Sequence, residues 1–534
     1  MRLLSKTSAS IAIALSLASA VSAQEGRSSR DHDYIRASAP WLSSRNAAGL
    51  SAMTLDRATI ADVNFNKENG GIADNAGSED CYQAGVATES YLKISDRIAF
   101  YGKLSYSYFK GKDMGGSILM NPSYNPVNFY EGDLNTKGVK NKELYHLIGG
   151  ISYSFKDSGW SLGAKIDYES GDQAKLKDPR FLNVWMDLGT SLGFRYKTEG
   201  TLSFGVNLEY RRTLEYLNGK IYGLSGKQYY SLIDYGGFYG NRELFEGTDA
   251  MVSAGNTCPM FNNFYGASAQ VEFGDKIKVF NELTFLMREG YYGNKGSSNI
   301  LFTEHGGQVF QYKGELRAAN GDMRQHVGVD IRYETLANYK NVYRLNTQVG
   351  QHTIVEYLSQ NEVLDRADLK ASVYYTAYLG VENYRAKWEL GAKADFDSRQ
   401  ALATIYPYYR SSGSSNVSAM IFGKRNILAG KNLLTVKAEG VFMTGFGTAK
   451  EDGSLASSTS DAPTSFDAYL YKDFEYRTAM RAGAGLSFRY TRLFSDKVGG
   501  YIELNDRFIS LLSQPEYLSN SHRNTLNLTI GCTF

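Results

Sequence analysis

No run of about eighteen apolar residues occurs anywhere in this 534-residue chain, which excludes a helical membrane protein. Proline is scarce, with 8 residues, so little interrupts a strand ladder. Cysteine numbers three, an odd count that leaves at least one unpaired. No repeat of ~20–50 residues recurs, which argues against a β-solenoid or an adhesin array. Net charge is missing as well. Without Arg2 and Lys6 the chain balances 56 basic against 56 acidic residues, so nucleic acid is not an expected partner.

Catalytic signatures are also absent. No Gly-x-Ser-x-Gly elbow lies between a strand and a helix. No His-Glu-x-x-His or paired-cysteine pattern offers a metal site. Gly483-Ala484-Gly485 falls inside a strand pattern and lacks the helix that phosphate binding needs. His146 shares its strand with Ser152 and Ser154, a poor geometry for a nucleophile and base. The expectation is a protein with no catalytic residue, metal or cofactor, and not an enzyme.

The chain does have an export signal. Arg2 and Lys6 form a basic start, Ser8 to Ala20 a short apolar stretch, and Val21-Ser22-Ala23 a small-residue cleavage site before Gln24. No cysteine follows the cut, so a lipoprotein anchor is not expected. Tyrosine (40), phenylalanine (27) and glycine (54) are abundant; the aromatics suit strands and interfacial girdles.

Alternation carries the fold. Leu526, Leu528, Ile530, Cys532 and Phe534 alternate with Thr525, Asn527, Thr529, Gly531 and Thr533, giving one greasy and one wet strand face. Leu202, Phe204, Val206, Leu208 and Tyr210 alternate likewise with Ser203, Gly205, Asn207, Glu209 and Arg211. When only alternate residues meet lipid, a mean hydropathy of −0.36 is compatible with a membrane protein. The pattern predicts an all-β protein: one large antiparallel transmembrane barrel of about 20 strands (roughly 16–22). Among the predicted strands are 340–356, 382–397, 400–410, where Pro407 marks an end or a bulge, and 474–493. The expected division is a signal peptide over 1–23, an N-terminal periplasmic or lumen segment over 24–57, and the barrel over 58–534. The N-terminal segment is too short for an ordinary globular plug, though it could dip into the lumen or cross its mouth. Long connections (111–141, 214–261, 445–473) follow odd-numbered strands and tight turns follow most even ones, as in barrels with long extracellular loops.

The wet face predicts a charged lumen. Its selectivity candidates are Glu209, Arg211, Arg385, Lys387, Glu389, Lys393, Arg477, Arg481, Arg489 and Arg507. They form either a mutually neutralised wall or a charged pathway. Arg477, Arg481 and Arg489 on one strand face, with Arg507 on the next, would favour anions locally. The aromatics of the 214–261 loop, Tyr222, Tyr229, Tyr230, Tyr235, Phe238 and Tyr239, either constrict the lumen and stack on flat solutes or pack on one another. Cys81 and Cys258 could meet near one rim, and Cys532 belongs to the lipid-facing set.

The leader, the terminal strand and the loop parity resemble a Gram-negative outer-membrane β-barrel. Phe534 resembles the C-terminal aromatic that barrel-insertion machinery reads. From Trp41 onward the chain looks like a plug-less barrel family of undefined function. Asn46-Ala47-Ala48-Gly49-Leu50 is similar to the Asn-Pro-Ala-Gly-Leu segment of fatty-acid-transporter-type barrels, with Ala47 in place of proline; it also reads as a turn before the first strand. The chain departs from TonB-dependent transporters in having no room for their plug domain. The resemblance implies a bacterial outer-membrane location, with membrane lipid, lipopolysaccharide and the barrel-assembly machinery as partners. Three functions remain open: a passive channel or facilitated transporter for polar solutes; a structural anchor for a surface or secretion complex; and uptake of apolar molecules.

Overall fold

The computed structural model describes residues 26–534, apart from 123, 224–225, 246–249, 254–256, 297–298 and 347–353. The predicted leader lies outside the described residues. Eighteen antiparallel strands form one sheet that closes on itself. They are β1 (Arg57–Gly70), β2 (Asp80–Ser95), β3 (Ile98–Met114), β4 (Gly138–Ser154), β5 (Trp160–Lys175), β6 (Arg180–Lys197), β7 (Ser203–Lys220), β8 (Cys258–Phe273), β9 (Ile277–Gly293), β10 (Leu301–Asn320), β11 (Met323–Asn346), β12 (Ile354–Leu379), β13 (Trp388–Ile405), β14 (Tyr408–Ala429), β15 (Asn432–Ser454), β16 (Arg481–Leu493), β17 (Gly499–Leu511) and β18 (His522–Thr533). At the seam β1 pairs with β18, Val63 opposite Ile530. Beyond it Phe534 exchanges two backbone hydrogen bonds with Thr59, at 2.9 and 3.2 Å. Closure removes the unpaired edges that an open sheet would expose.

Each strand sorts its side chains between the two surfaces. On β7 and the turn before it, Leu202, Phe204, Val206 and Leu208 are 38, 42, 52 and 59% exposed, whereas Ser203 and Asn207 are 4 and 0%. The apolar set faces outward, as the alternation requires. Leu208 opposes Leu192 and Ala267 on the neighbouring strands, inside the apolar band. Leu208→Arg should therefore cost about 2–4 kcal/mol. Urea titration of folding into lipid vesicles checks this; a loss below about 1 kcal/mol would contradict a lipid-facing position.

Both termini lie at one end of the barrel. Connections there are short, and the long ones (115–137, 221–257 and 455–480) lie at the other. Three expectations are corrected. The predicted strand 340–356 is not one strand: its described residues, 340–346 and 354–356, belong to β11 and β12, which pair out to Asn346 and Ile354 through two register shifts. The predicted strand 400–410 divides between β13 and β14, joined through Tyr406 and Pro407. These two account for twenty expected strands against the eighteen observed. The third, 474–493, is a strand only from Arg481; α3 (Asp467–Thr478) precedes it. Asp467 in its first turn and Arg477 in its last complement the helix dipole. All three cysteines are free, so the expected Cys81–Cys258 pairing is not formed.

Candidate functional site

The interior is filled from both ends. At the terminal end, α1 (His32–Ser38), α2 (Pro40–Ser43) and a 3-10 turn (Ala47–Ala52) cross the lumen. Asp31 caps α1, accepting from the backbone N–H of Asp33 and Tyr34 at 3.0 and 3.3 Å. The Lys424 ammonium on β14 ties Asp31 to the wall and also meets Glu389 at 3.1 Å. Burial works to raise the Asp31 pKa, but Lys424, the Tyr34 N–H and Arg489 together outweigh it, and the carboxyl lies below its ordinary value. Across the lumen, the Trp41 indole donates to Glu272 on β8 and packs edge-on to Phe280, 5.3 Å between centroids. Ser44 reaches Glu282, and Arg45 reaches Glu209 at 2.7 Å.

Asn46 is fully committed. Its amide donates to the Phe194 carbonyl and the Gln270 side chain, both at 2.9 Å, and its oxygen caps the 3-10 turn through Ala48 N–H. A side chain at Gly193 would collide with Asn46, and one at Gly163 with Ala48. The barrel wall is thus kept bare where Asn46–Leu50 lies on it. That segment is a turn before the first strand, buried against the inner wall of the barrel.

At the loop end, four short strands (Asn128–Glu131, Tyr230–Asp234, Tyr239–Leu244 and Thr464–Ser465) form a small sheet. It packs on apolar inward residues of the upper wall, among them Leu217, Met260, Tyr292 and Phe302. A buried ion pair fastens it, Lys175 on β5 to Glu131, and Arg410 on β14, paired with Asp452 on β15, donates to the Gly237 and Phe238 carbonyls. Burial pushes the Asp234 carboxyl up to about 6, although the backbone N–H groups of Gly236 and Tyr239 resist this.

Most loop aromatics pack rather than constrict. Tyr229 and Tyr235 are buried in the upper cluster, Phe238 packs near Tyr130, and Tyr239 lies under Arg410. Arg242 covers Tyr230, and Arg180 covers Tyr222, which is 63% exposed. Of this set, Tyr235 and Phe238 border open space within the barrel.

Between the two fillings lie linked polar chambers of about 320, 370 and 330 Å³. The middle one shares Arg366, Arg399 and Arg477 with the first and Arg211 and Arg332 with the last. Of the expected selectivity residues, the chambers gather Glu209, Arg211 and Arg477. Lys393, Arg481 and Arg507 line a side space of about 470 Å³. Arg385 and Lys387 are not on a strand but in the 380–387 connection, where Arg385 holds the Ser29 carbonyl at 2.9 Å. The expected cationic strand face does not form. Arg477 is helical and meets Asp473 at 2.9 Å, Arg489 stacks on Tyr501 opposite Glu503, and Arg507 binds Glu439. Arg481 lies against Tyr476 and the Met443 sulfur. His146 bonds Asp167 at 2.7 Å; Ser152 and Ser154 are bonded elsewhere.

The cationic wall lies on β11, β12 and β13, at Arg332, Arg366, Lys370 and Arg399. Sequence reasoning passed over Arg366, Lys370 and Arg399. Their signal was the run Arg366-x-Asp368-x-Lys370 beside Asp397-x-Arg399, charges spaced by two on one strand face.

Residues 47–534 match the model of a family of unknown function (DUF6850). No curated protein matches the chain. Similar solved structures include the ferric preacinetobactin receptor BauA from Acinetobacter baumannii, at 10% identity over 90% of this chain and 80% of that one, TM-score 0.36. The outer-membrane transporter YddB from Escherichia coli shares 8% identity over 89% and 81%, TM-score 0.39. A monoaromatic hydrocarbon channel, a TodX deletion mutant, shares 10% over 92% of each chain, TM-score 0.30. Superpositions this loose carry no argument about this chain, whose fold rests on its own closed ladder.

Proposed function

The chain belongs to the DUF6850 family, whose function is undefined, and we propose that it is an integral outer-membrane barrel passing small polar solutes passively through a charged lumen. One observation carries this reading: apolar side chains face out along the strands while charged ones line linked chambers inside. A closed barrel satisfies every backbone group without water, so it can span hydrocarbon. In this reading the terminal end faces the periplasm, the folded loops face outward, and lipid and lipopolysaccharide surround the band. Phe534 at the seam serves insertion. The chambers are too narrow for bulky solutes, and their charged walls disfavour apolar ones.

Purified protein in liposomes is expected to admit the smallest sugars and amino acids and to exclude larger peptides, read as swelling rates. Because both ends are filled, a second reading is an anchor that conducts little. Absence of swelling with every solute, from protein shown to be folded by its heat-shifted gel mobility, would favour that reading and defeat the first.

A further inference from the structure

The middle chamber has an uneven charge distribution. Its wall carries six cationic side chains and three carboxylates. Each carboxylate is shared. Glu334 meets Arg332 at 2.7 Å and the buried Arg288 behind it at 2.8 Å. Asp368 meets Arg366 at 3.0 Å and also Arg399. Asp397 meets Lys370 at 3.4 Å and Arg477 at 3.8 Å. Arg211 has Asp187 beside it, and Arg477 has Asp473. The chambers on either side are balanced: Asp74, Asp234 and Asp473 face Arg366, Arg399 and Arg477 towards the loops, and Asp167, Glu169, Asp187 and Glu209 face Arg45, Lys165, Arg211 and Arg332 towards the termini. The excess of cations therefore falls on the middle chamber, where the positive potential is focused.

A second, independent feature points to the same place. Tyr124, from the 115–137 connection, forms part of this wall. Its ring lies against Arg288 and Arg211, with guanidinium carbons 4.4 and 5.7 Å from the centroid. Its hydroxyl is buried and has no hydrogen-bond partner among the described residues. A buried donor without an acceptor is costly unless something supplies one. Tyr124 and the shared guanidinium groups line one space of about 370 Å³, and a small movement of the ring would bring its hydroxyl to a solute there.

We propose that this chamber is a binding site for a small dianionic solute, a dicarboxylate or a phosphate monoester. Its oxygens would accept from the Tyr124 hydroxyl and from the guanidinium and ammonium groups of Arg332, Arg399 and Lys370. Guanidinium forks match carboxylate and phosphate oxygens two at a time. Arg366 acts as a positioning residue, since it holds the Asn125 carbonyl at 3.0 Å and so fixes the loop that carries Tyr124. This site names the solute class for the transport reading above and rests on it for its role, but not for its existence.

The test is calorimetric titration of full-length, detergent-solubilised protein with succinate and with glucose 6-phosphate, using glucose and glycine as neutral controls. Binding of one or both dianions and of neither control is expected, and which one binds identifies the source. Tyr124→Phe removes a hydroxyl that bonds nothing among the described residues, so the fold should be unaffected; affinity should fall about fivefold. Asp397→Asn removes a competing carboxylate and should tighten binding severalfold. Absence of dianion binding, or affinities unmoved by both variants, would overturn the proposal. Swelling with neutral sugars but no dianion binding would sink the site and spare the transport reading. Dianion binding without swelling by any solute would do the reverse.

Discussion

A chain lacking residues 28–52 is expected to form the same barrel and to conduct about tenfold better, approaching the open aqueous channel that barrels of roughly 16–18 strands hold. The first strand begins only at Arg57, and every ladder contact of β1 is with β2 or β18. The deleted residues therefore contribute nothing to the ladder. They do cross the terminal mouth, from Lys424 on one side to Glu272 and Glu282 on the other. Their loss would leave Glu209, Glu272 and Glu282 facing water, where carboxylates carry no desolvation penalty. Single-channel recording in planar bilayers gives the measurement. Conductance unchanged from the full-length protein would mean that the loop end alone sets the resistance, and that the N-terminal segment does not gate it.

The second large effect is expected at the opposite end. Lys175 and Glu131 are each 1% exposed, and their contact joins the barrel wall to the first strand of the interior sheet. Thr136 donates to the same carboxylate. Lys175→Met would leave Glu131 buried without its cation, a loss of about 3–5 kcal/mol for such a pair. The penalty falls on loop docking rather than on the strand ladder. The predicted result is rapid tryptic cleavage within 221–257, with heat-resistant barrel mobility retained on gels. Adding Glu131→Leu should restore most of the protection, because an apolar pair carries no desolvation cost. Equal protease resistance in the wild type and the single variant would show that the apolar cluster around Phe129 and Ile233 holds the sheet unaided.

The barrel strands were readable because alternation is local. Leu202 to Leu208 and Leu526 to Ile530 follow the two-residue period, and their exposures follow it too. The errors arose where that period persists beyond its usual meaning. The ends of β11 and β12, up to Asn346 and from Ile354, extend past the usual strand length and still pair, so their alternation looks like an extra strand. Residues 467–478 hold tyrosines and charges that fit either period over a short window, and only packing against Tyr130 and Phe238 settles them as a helix.

The sequence by itself determined that this chain closes into a large barrel with a wet interior, since side-chain direction in a strand follows residue parity and needs no distant contact. Only the tertiary structure decided what occupies that interior. Asn46 meets Gln270 across 224 positions, Arg288 meets the Tyr124 carbonyl across 164, and Arg366 meets the Asn125 carbonyl across 241. Contacts of that separation depend on closure bringing remote strands and loops into one small volume, and no local period encodes them.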